Sequence, residues 1–290
     1  MPRFSTFSIA ACDLKTQTWG VAVASKFPAV GAAVPWVNAE VGAVATQSYV
    51  NTSYGPNGLA MMKEGLSAQE TLDKLLADDP EREIRQVGIV DAQGGSVTFT
   101  GNKCHAWAGG LTGPGYAIQG NILTGADVVQ KMEEAFLETA GELPARLYAA
   151  LYAGDRAGGD KRGRQAAAIY VAKPKGGYGG FLDRWIDYRV DDHLDPVPRL
   201  GELLELHELY MGKSPESERV QLEGQTLIDL QKIMADLGYY QAHMDGNYSE
   251  AIAESIASFM GNENFEERTD PKAGWVDGPV LDYIFKKFKK

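Results

Sequence analysis

The residues best suited to chemistry lie near the start of the chain. Thr6 and Ser8 stand two apart in TFSIAACD, and a strand there turns both hydroxyls to one sheet face. A hydroxyl at the head of a strand suits attack on a carbonyl carbon. A Thr or Ser that begins a chain can use its own α-amine as base, because that amine has a pKa near ~7.7–8.0. Lys26 follows the next apolar segment in ASKF, and an ammonium beside a buried hydroxyl favours the deprotonated form. The plain alternative is that strands commonly carry Thr for packing alone.

A second polar group occupies AGDRAGGDKRGRQAAAIYV, residues 153–171. Arg156, Lys161, Arg162 and Arg164 are set among glycines with Asp155 and Asp160. No register matches GxxxxGK[ST], so this is no P-loop. Guanidinium forks suit carboxylates. The cations either bind an anionic substrate or pair with acids of the chain, and both readings stay open. Arg164, nearer the following strand, is expected to be structural, and Arg162, nearer the glycines, to face ligand. Asp191, Asp192, His193 and Asp195 lack any HExxH or Cys/His spacing. They read as a polar turn before a helix, not as a metal site. Of the histidines, only His105 or His193 suits a Ser-His-Asp arrangement, and no GxSxG elbow accompanies them. His207, inside LLELHELY, is expected on the surface.

The elements that must position these residues follow from composition and periodicity. The 290 residues are 44% hydrophobic and 23% charged, with a net charge of -11, a globular composition that disfavours nucleic acid as a partner. Two cysteines make no disulfide framework, which suits a reducing compartment. The N-terminus has no apolar signal core, and no run approaches a membrane span. A cytoplasmic location is expected. Strands are predicted over Phe4–Ala11, Trp19–Ala24, Val41–Ala45, Arg85–Val90, Ser96–Thr100, Tyr116–Gln119 and Ala166–Val171. Gly and Pro interrupt the chain around Tyr54-Gly55-Pro56. Ser67 and Glu70 form a capping box ahead of a helix that stops at Pro80. Two more helices follow at about 126–139 and 143–153, and another near Arg199–Met211. Hairpins with paired helices, and no alternating βαβ units, imply an α+β fold of two sheets between two helical layers. Residues 213–221 read as a polar linker between a domain at 1–212 and a second at 222–290. The latter has helices at Thr226–Leu237, Ala251–Met260 and Pro279–Phe288.

Several stretches resemble, in order, a known family: TFSIAACD, GVAVASKFPAVGAAVPWV, GAVATQSYVNTSYGPNGL, REIRQVGIVD, TGNKCHAW, AIQGNIL and AGGDKRGRQAAAIYV…RVDDHLDP. The family is the domain of unknown function 1028, and the resemblance spans roughly residues 5–205. It implies an N-terminal-nucleophile (Ntn) hydrolase fold, a four-layer αββα sandwich, and amide-bond hydrolysis; with Arg162 or Arg164 as anchor, the expected substrate is a small amide or ureido compound carrying a carboxylate. Thr6, Ser8 and Lys26 are then the candidate catalytic residues. Thr46, Ser48, Asn121, Asp160, Arg162 and Arg164 are the candidates for substrate binding. In many relatives Thr directly follows the initiator Met. Here five residues precede Thr6, so the mechanism needs their removal or another base. The competing reading is a non-catalytic binding or scaffold protein with the same fold. The tail stretch LIDLQKIMADLGYYQAHMDGNYSEAIAESIASFMG is similar to a peptidoglycan-binding-like helical module, which implies a small all-α three-helix domain. Without an export signal its expected role is packing or dimer contact. No cofactor or metal is expected. A small-molecule substrate and a homo-oligomer are, and neither nucleic acid nor a membrane is.

Overall fold

The computed structural model describes residues 6–289. The chain divides between Glu202 and Leu203 into two compact units. In chain order the first unit holds β1 (Thr6–Asp13), β2 (Thr18–Ser25), β3 (Pro35–Asn38), β4 (Gly42–Ser48), α1 (Tyr54–Lys63), α2 (Ala68–Ala77), β5 (Arg85–Asp91), β6 (Ser96–Thr100), β7 (Gly109–Gly113), β8 (Tyr116–Asn121), α3 (Asp127–Glu138), α4 (Leu143–Arg156), β9 (Ala166–Ala172) and β10 (Arg184–Val190). Helix α5 (Pro196–Met211) runs on into the second unit, which also holds β11 (Arg219–Gln221), α6 (Gly224–Asp236), α7 (Glu250–Asn262), β12 (Thr269–Asp270), β13 (Trp275–Asp277) and α8 (Gly278–Phe288).

The first unit is mixed α+β with antiparallel sheets. One sheet has six strands in the order β10-β9-β2-β1-β8-β7, and the other four in the order β3-β4-β5-β6. Alternation along β1 decides its two faces. Phe7 lies close to Gly154 and Gly159 at the end of α4, whereas Ala10 and Cys12 join a core cluster with Val37, Ala43, Ala45 and Val90 of the other sheet. The sheets therefore meet face to face, β1 against β4 and β5 against β8, while α3 and α4 pack on β1, β2 and β8. Helix α4 comes this near because Gly20 lacks a side chain; a Cβ there would lie 2.6 Å from a Leu147 methyl. On the second sheet, Leu72 and Leu75 of α2 and Met62 of α1 bury against Val44, Val87 and Ile89. The Ser67–Glu70 capping box is complete, each side chain bonded to the other's backbone amide, so α2 begins where the sequence places it.

Four features differ from the sequence reading. Tyr54-Gly55-Pro56 does not break the chain but opens α1; Pro56 sits in the first turn, where an amide has no intrahelical partner to lose. Strands β3, β7 and β10 complete the sheets although their stretches lack strong apolar alternation. The tail is not all-α. Beside α6, α7 and α8 it has a three-stranded sheet in the order β11-β13-β12. Strand β11 lies inside the stretch read as linker. These strands of two or three residues are too short to carry a period in the sequence, and Val220 and Val276 pair only through the fold. The first two residues of the strand predicted from Phe4 lie outside the described residues. Among the described residues, no helix is long and apolar enough to cross a membrane.

The second unit closes around Leu227, Leu230, Ile256, Phe259, Phe265 and Ile284. Arg268, 3% exposed, donates to Asp277 at 2.7 Å, to the carbonyls of Glu208 and Leu209, and to Ser214 Oγ. A cation at the last carbonyls of a helix also opposes its dipole favourably.

Candidate functional site

Antiparallel pairing gathers several strand termini at one end of the two sheets. Thr6 opens β1 between Ser25, the last residue of β2, and Asn121, the last of β8. Ser48 ends β4 opposite Arg85, the first residue of β5. Thr6 is 3% exposed. Its Oγ1 donates to Ser25 Oγ at 3.2 Å, and its carbonyl accepts from Gln47 Nε2 at 3.3 Å.

Behind Thr6 lies a buried amide network between the sheets. Ser8 Oγ donates to Gln47 Oε1 at 2.6 Å and accepts from Gln119 Nε2 at 2.7 Å. Gln47 Nε2 and Asn121 Nδ2 both donate to Gln86 Oε1 at 2.9 Å. Gln86 Nε2 donates to Thr100 Oγ1 and the Gly120 carbonyl, each at 2.8 Å. Gln119 can lie across to β5 because residue 88 is Gly; a Cβ there would stand 2.0 Å from Gln119 Oε1. A buried amide left without partners costs about 1–3 kcal/mol, so this network holds the sheet register and with it the Thr6 carbonyl.

The other sequence candidates separate into two groups. Asn121 stands beside Thr6. Thr46 points to the opposite face of β4 from Gln47 and donates to the Asn51 carbonyl at 3.2 Å. Ser48 leaves the strand with φ 71° and sits close to the Cys104 thiol. Lys26 is exposed. Its Nζ donates to the Arg164 carbonyl at 3.2 Å and its backbone amide to Asp160 Oδ2 at 2.6 Å. The ammonium is thus turned to the Gly-rich loop.

That loop is ordered by its own acids. Arg162 forks onto Asp160, Nε to Oδ1 at 3.2 Å and Nη2 to Oδ2 at 3.0 Å. Arg164 Nε donates to Asp155 Oδ1 at 2.7 Å and lies 3.6 Å from Asp195. This bonding raises the Arg164 pKa further, against the opposing effect of burial. Arg162, expected to face ligand, has its fork on Asp160. Asp195 also takes Arg156 at 3.2 Å, and His193 Nδ1 accepts the Asp195 amide, so Asp195 serves as a counter-ion of the loop. No group of three His, Cys, Asp or Glu that could hold a metal occurs among the described residues.

A pocket of about 330 Å³ opens beside this loop, its wall including Phe7, Ser25, Asp155, Asp160, Lys161 and Arg164. By strand parity Phe7 points away from the face that carries Thr6 and Ser8. Ser25 is the link, since it lines the pocket and also accepts the Thr6 hydroxyl.

Other titratable groups among the described residues are set by burial and partners. Cys12 is pushed up to about 11, mainly by burial and then by Asp91; burial also raises Cys104. Neither thiol supplies a thiolate near neutral pH. His105 Nε2 lies 3.3 Å from the Tyr49 hydroxyl. Burial alone would raise Asp79, but bonds from Arg85, Asn51, Glu81 and Tyr54 hold it well below the usual carboxylate range. His207 is half-buried, not on the surface as its helix position suggested, and burial lowers its pKa.

Ser25, Gln47, Gln86 and Gln119 were not singled out from the sequence. Ser25 needed the β1–β2 register. The glutamines left a weak signal, one glutamine in each of three strands that are largely buried, which burial penalises unless partners exist.

The family comparison agrees with this architecture. Residues 6–200 match the model of a family of unknown function, DUF1028. The chain belongs to this family. Residues 210–284 match a peptidoglycan-binding-like domain. Among solved structures, the protein SPO2555 from Silicibacter pomeroyi, also assigned to DUF1028, is similar to this chain at 28% identity and a TM-score of 0.64. The match covers 70% of this chain and 89% of that one. No curated protein matches the chain.

Proposed function

We propose that the chain is an Ntn-type hydrolase that cleaves an amide or ureido bond in a small carboxylate-bearing metabolite. One observation carries the reading: Thr6 heads an inner strand with its hydroxyl bonded to Ser25 and its carbonyl held by Gln47. Two sheets face to face, each with a helix pair outside, support an αββα sandwich of the Ntn type. In this mechanism Thr6 Oγ1 attacks the substrate carbonyl and its proton passes to the Thr6 α-amine, which gives it to the leaving nitrogen as the C–N bond breaks; water then hydrolyses the acyl–Thr6 ester. That amine exists only after residues 1–5 are removed, and those residues lie outside the described ones. Backbone amides stabilise the oxyanion in this mechanism. Lys161 on the pocket wall provides positive charge for a substrate carboxylate. Lys26 acts on the loop through the Arg164 carbonyl and not on Thr6 directly. The intact mass of the purified protein tests the mechanism. The expected species begins at Thr6; a population that keeps all five preceding residues has no α-amine base, and the mechanism fails.

A second reading, a non-catalytic binding protein, is favoured by the internal pairing of Arg162 and Arg164. It predicts that Thr6→Ala leaves metabolite-induced thermal stabilisation intact. It also predicts that the wild type turns over none of the compounds it binds.

A further inference from the structure

Residues 173–183, which join β9 to β10, carry a cluster of exposed apolar side chains. Tyr178 is 77% exposed, Phe181 90% and Leu182 67%. The loop's backbone leaves them no other place. The Lys173 amide donates to the Asp183 carbonyl and the Gly177 amide to the Leu182 carbonyl, each at 2.8 Å. The Lys175 amide donates to Asp183 Oδ1 at 2.9 Å. A Cβ at residue 177 would stand 2.7 Å from the Arg184 carbonyl. The two limbs therefore close on each other with no interior between them, and the apolar side chains near the tip turn outward. The loop is an ordered projection, and an apolar tip of this kind marks a docking surface.

The charges behind the tip select its partner. Lys173 and Lys175 stand against one acid of the loop, Asp183. Lys173 reaches Glu142 only at 3.9 Å. Lys175 is exposed and makes no ion pair among the described residues. The chain's net charge of -11 repels an anionic surface at long range. At physiological salt such fields fade over about 8 Å, so a surface that touches the tip meets the lysines first. A stable protein interface takes about 800 Å² from each side, and an aromatic side chain supplies about 150–250 Å², so this tip falls short of one. A fluid bilayer sets no such minimum. It receives side chains on every side of a projection, takes aromatic rings and leucine at the headgroup boundary, and attracts lysines when its lipids are anionic.

We propose that residues 173–183 dock the chain reversibly on an anionic lipid leaflet. Tyr178, Phe181 and Leu182 enter the headgroup boundary, and Lys173 and Lys175 meet the lipid phosphates. The loop lies at the opposite end of the six-stranded sheet from Thr6: Ser25, the partner of Thr6, pairs with Ala166, whereas Ala172 pairs with Trp19. The inference is independent of the Thr6 reading, because no residue of that mechanism lies in the loop.

Vesicle co-sedimentation of the full chain tests it. The vesicles are phosphatidylcholine alone, or equal parts phosphatidylcholine and phosphatidylglycerol, at millimolar lipid and at physiological and high salt. The wild type is expected to pellet with the mixed vesicles, less with the neutral ones, and less again at high salt. A lysine near an anionic surface is worth about fivefold in binding, so Lys175→Glu is expected to weaken it about tenfold or more. Phe181→Ser is expected to weaken it about tenfold or more as well. Both side chains are exposed, so the variants leave the fold intact, which circular-dichroism melting checks. A wild type that stays in the supernatant, equal binding to neutral and mixed vesicles, or either variant binding like the wild type overturns the inference. So does lipid-free protein whose self-association is broken by Phe181→Ser in sedimentation velocity, because a second copy then covers the tip.

Discussion

Removing the Asp160 carboxylate should detach the Gly-rich loop from the end of β2. Its side chain is 2% exposed and accepts from the Lys26 amide at 2.6 Å, the Arg162 amide at 2.8 Å, and the Arg162 fork. Residue 160 also bridges Leu123 through the backbone. In Asp160→Ala the two amides lose their acceptor, at about 1–3 kcal/mol each if no water replaces it. The guanidinium, 28% exposed, recovers part of its hydration. These terms overlap, so the whole loss is about 3–5 kcal/mol, typical of a broken buried pair. For a unit of this size, each kcal/mol lowers the melting temperature by about 2–4 °C, so a fall of about 6–20 °C is expected by calorimetry. Asp160→Asn keeps one acceptor oxygen and should cost about 2 kcal/mol. Arg162→Ala leaves Asp160 both amide donors and should cost least, about 1–2 kcal/mol. An Asp160→Ala variant that melts within about 2 °C of wild type would show that the loop is held by something else. An Arg162→Ala variant less stable than Asp160→Ala would refute the argument that the carboxylate organises the loop through the backbone.

Asp79 gives a pH test. Arg85 Nε lies 2.9 Å from it, and its folded pKa is depressed, so its contribution is present above the ordinary carboxylate pKa and lost as pH falls below about 4. Asp79→Asn should therefore cost about 3–5 kcal/mol near neutral pH, with the gap to wild type closing on acidification in urea titrations; a gap independent of pH would count against it. In the second unit, Arg268→Ala leaves the Asp277 carboxylate, 2.7 Å from the lost guanidinium, buried without its cation. A loss of about 3–5 kcal/mol is expected. Hydrogen exchange should then rise in α6–α8, and unchanged protection there would show that the pair contributes nothing net.

What the sequence determined by itself was local. The Ser67–Glu70 box placed α2 because its two hydrogen bonds need only residues three apart. Alternation in TFSIAACD put Thr6 and Ser8 on one face of β1 because strand parity is a property of consecutive residues. Pairing across the fold decided the rest. Ser25 met Thr6, and Gln47, Gln86 and Gln119 met one another, only when antiparallel register brought separate strands to the same end. Arg162 and Arg164 carried two open readings in the sequence. Which acid each guanidinium reaches depends on how the chain turns through Gly158, Gly159 and Gly163, all at positive φ, where any spacing between charges is possible. The short strands β11, β12 and β13 had no signal because two or three residues hold no period. They exist because Val276 is buried, and Val220 partly buried, against α6–α8, and burial of that kind is settled by the whole unit and not by any segment of it.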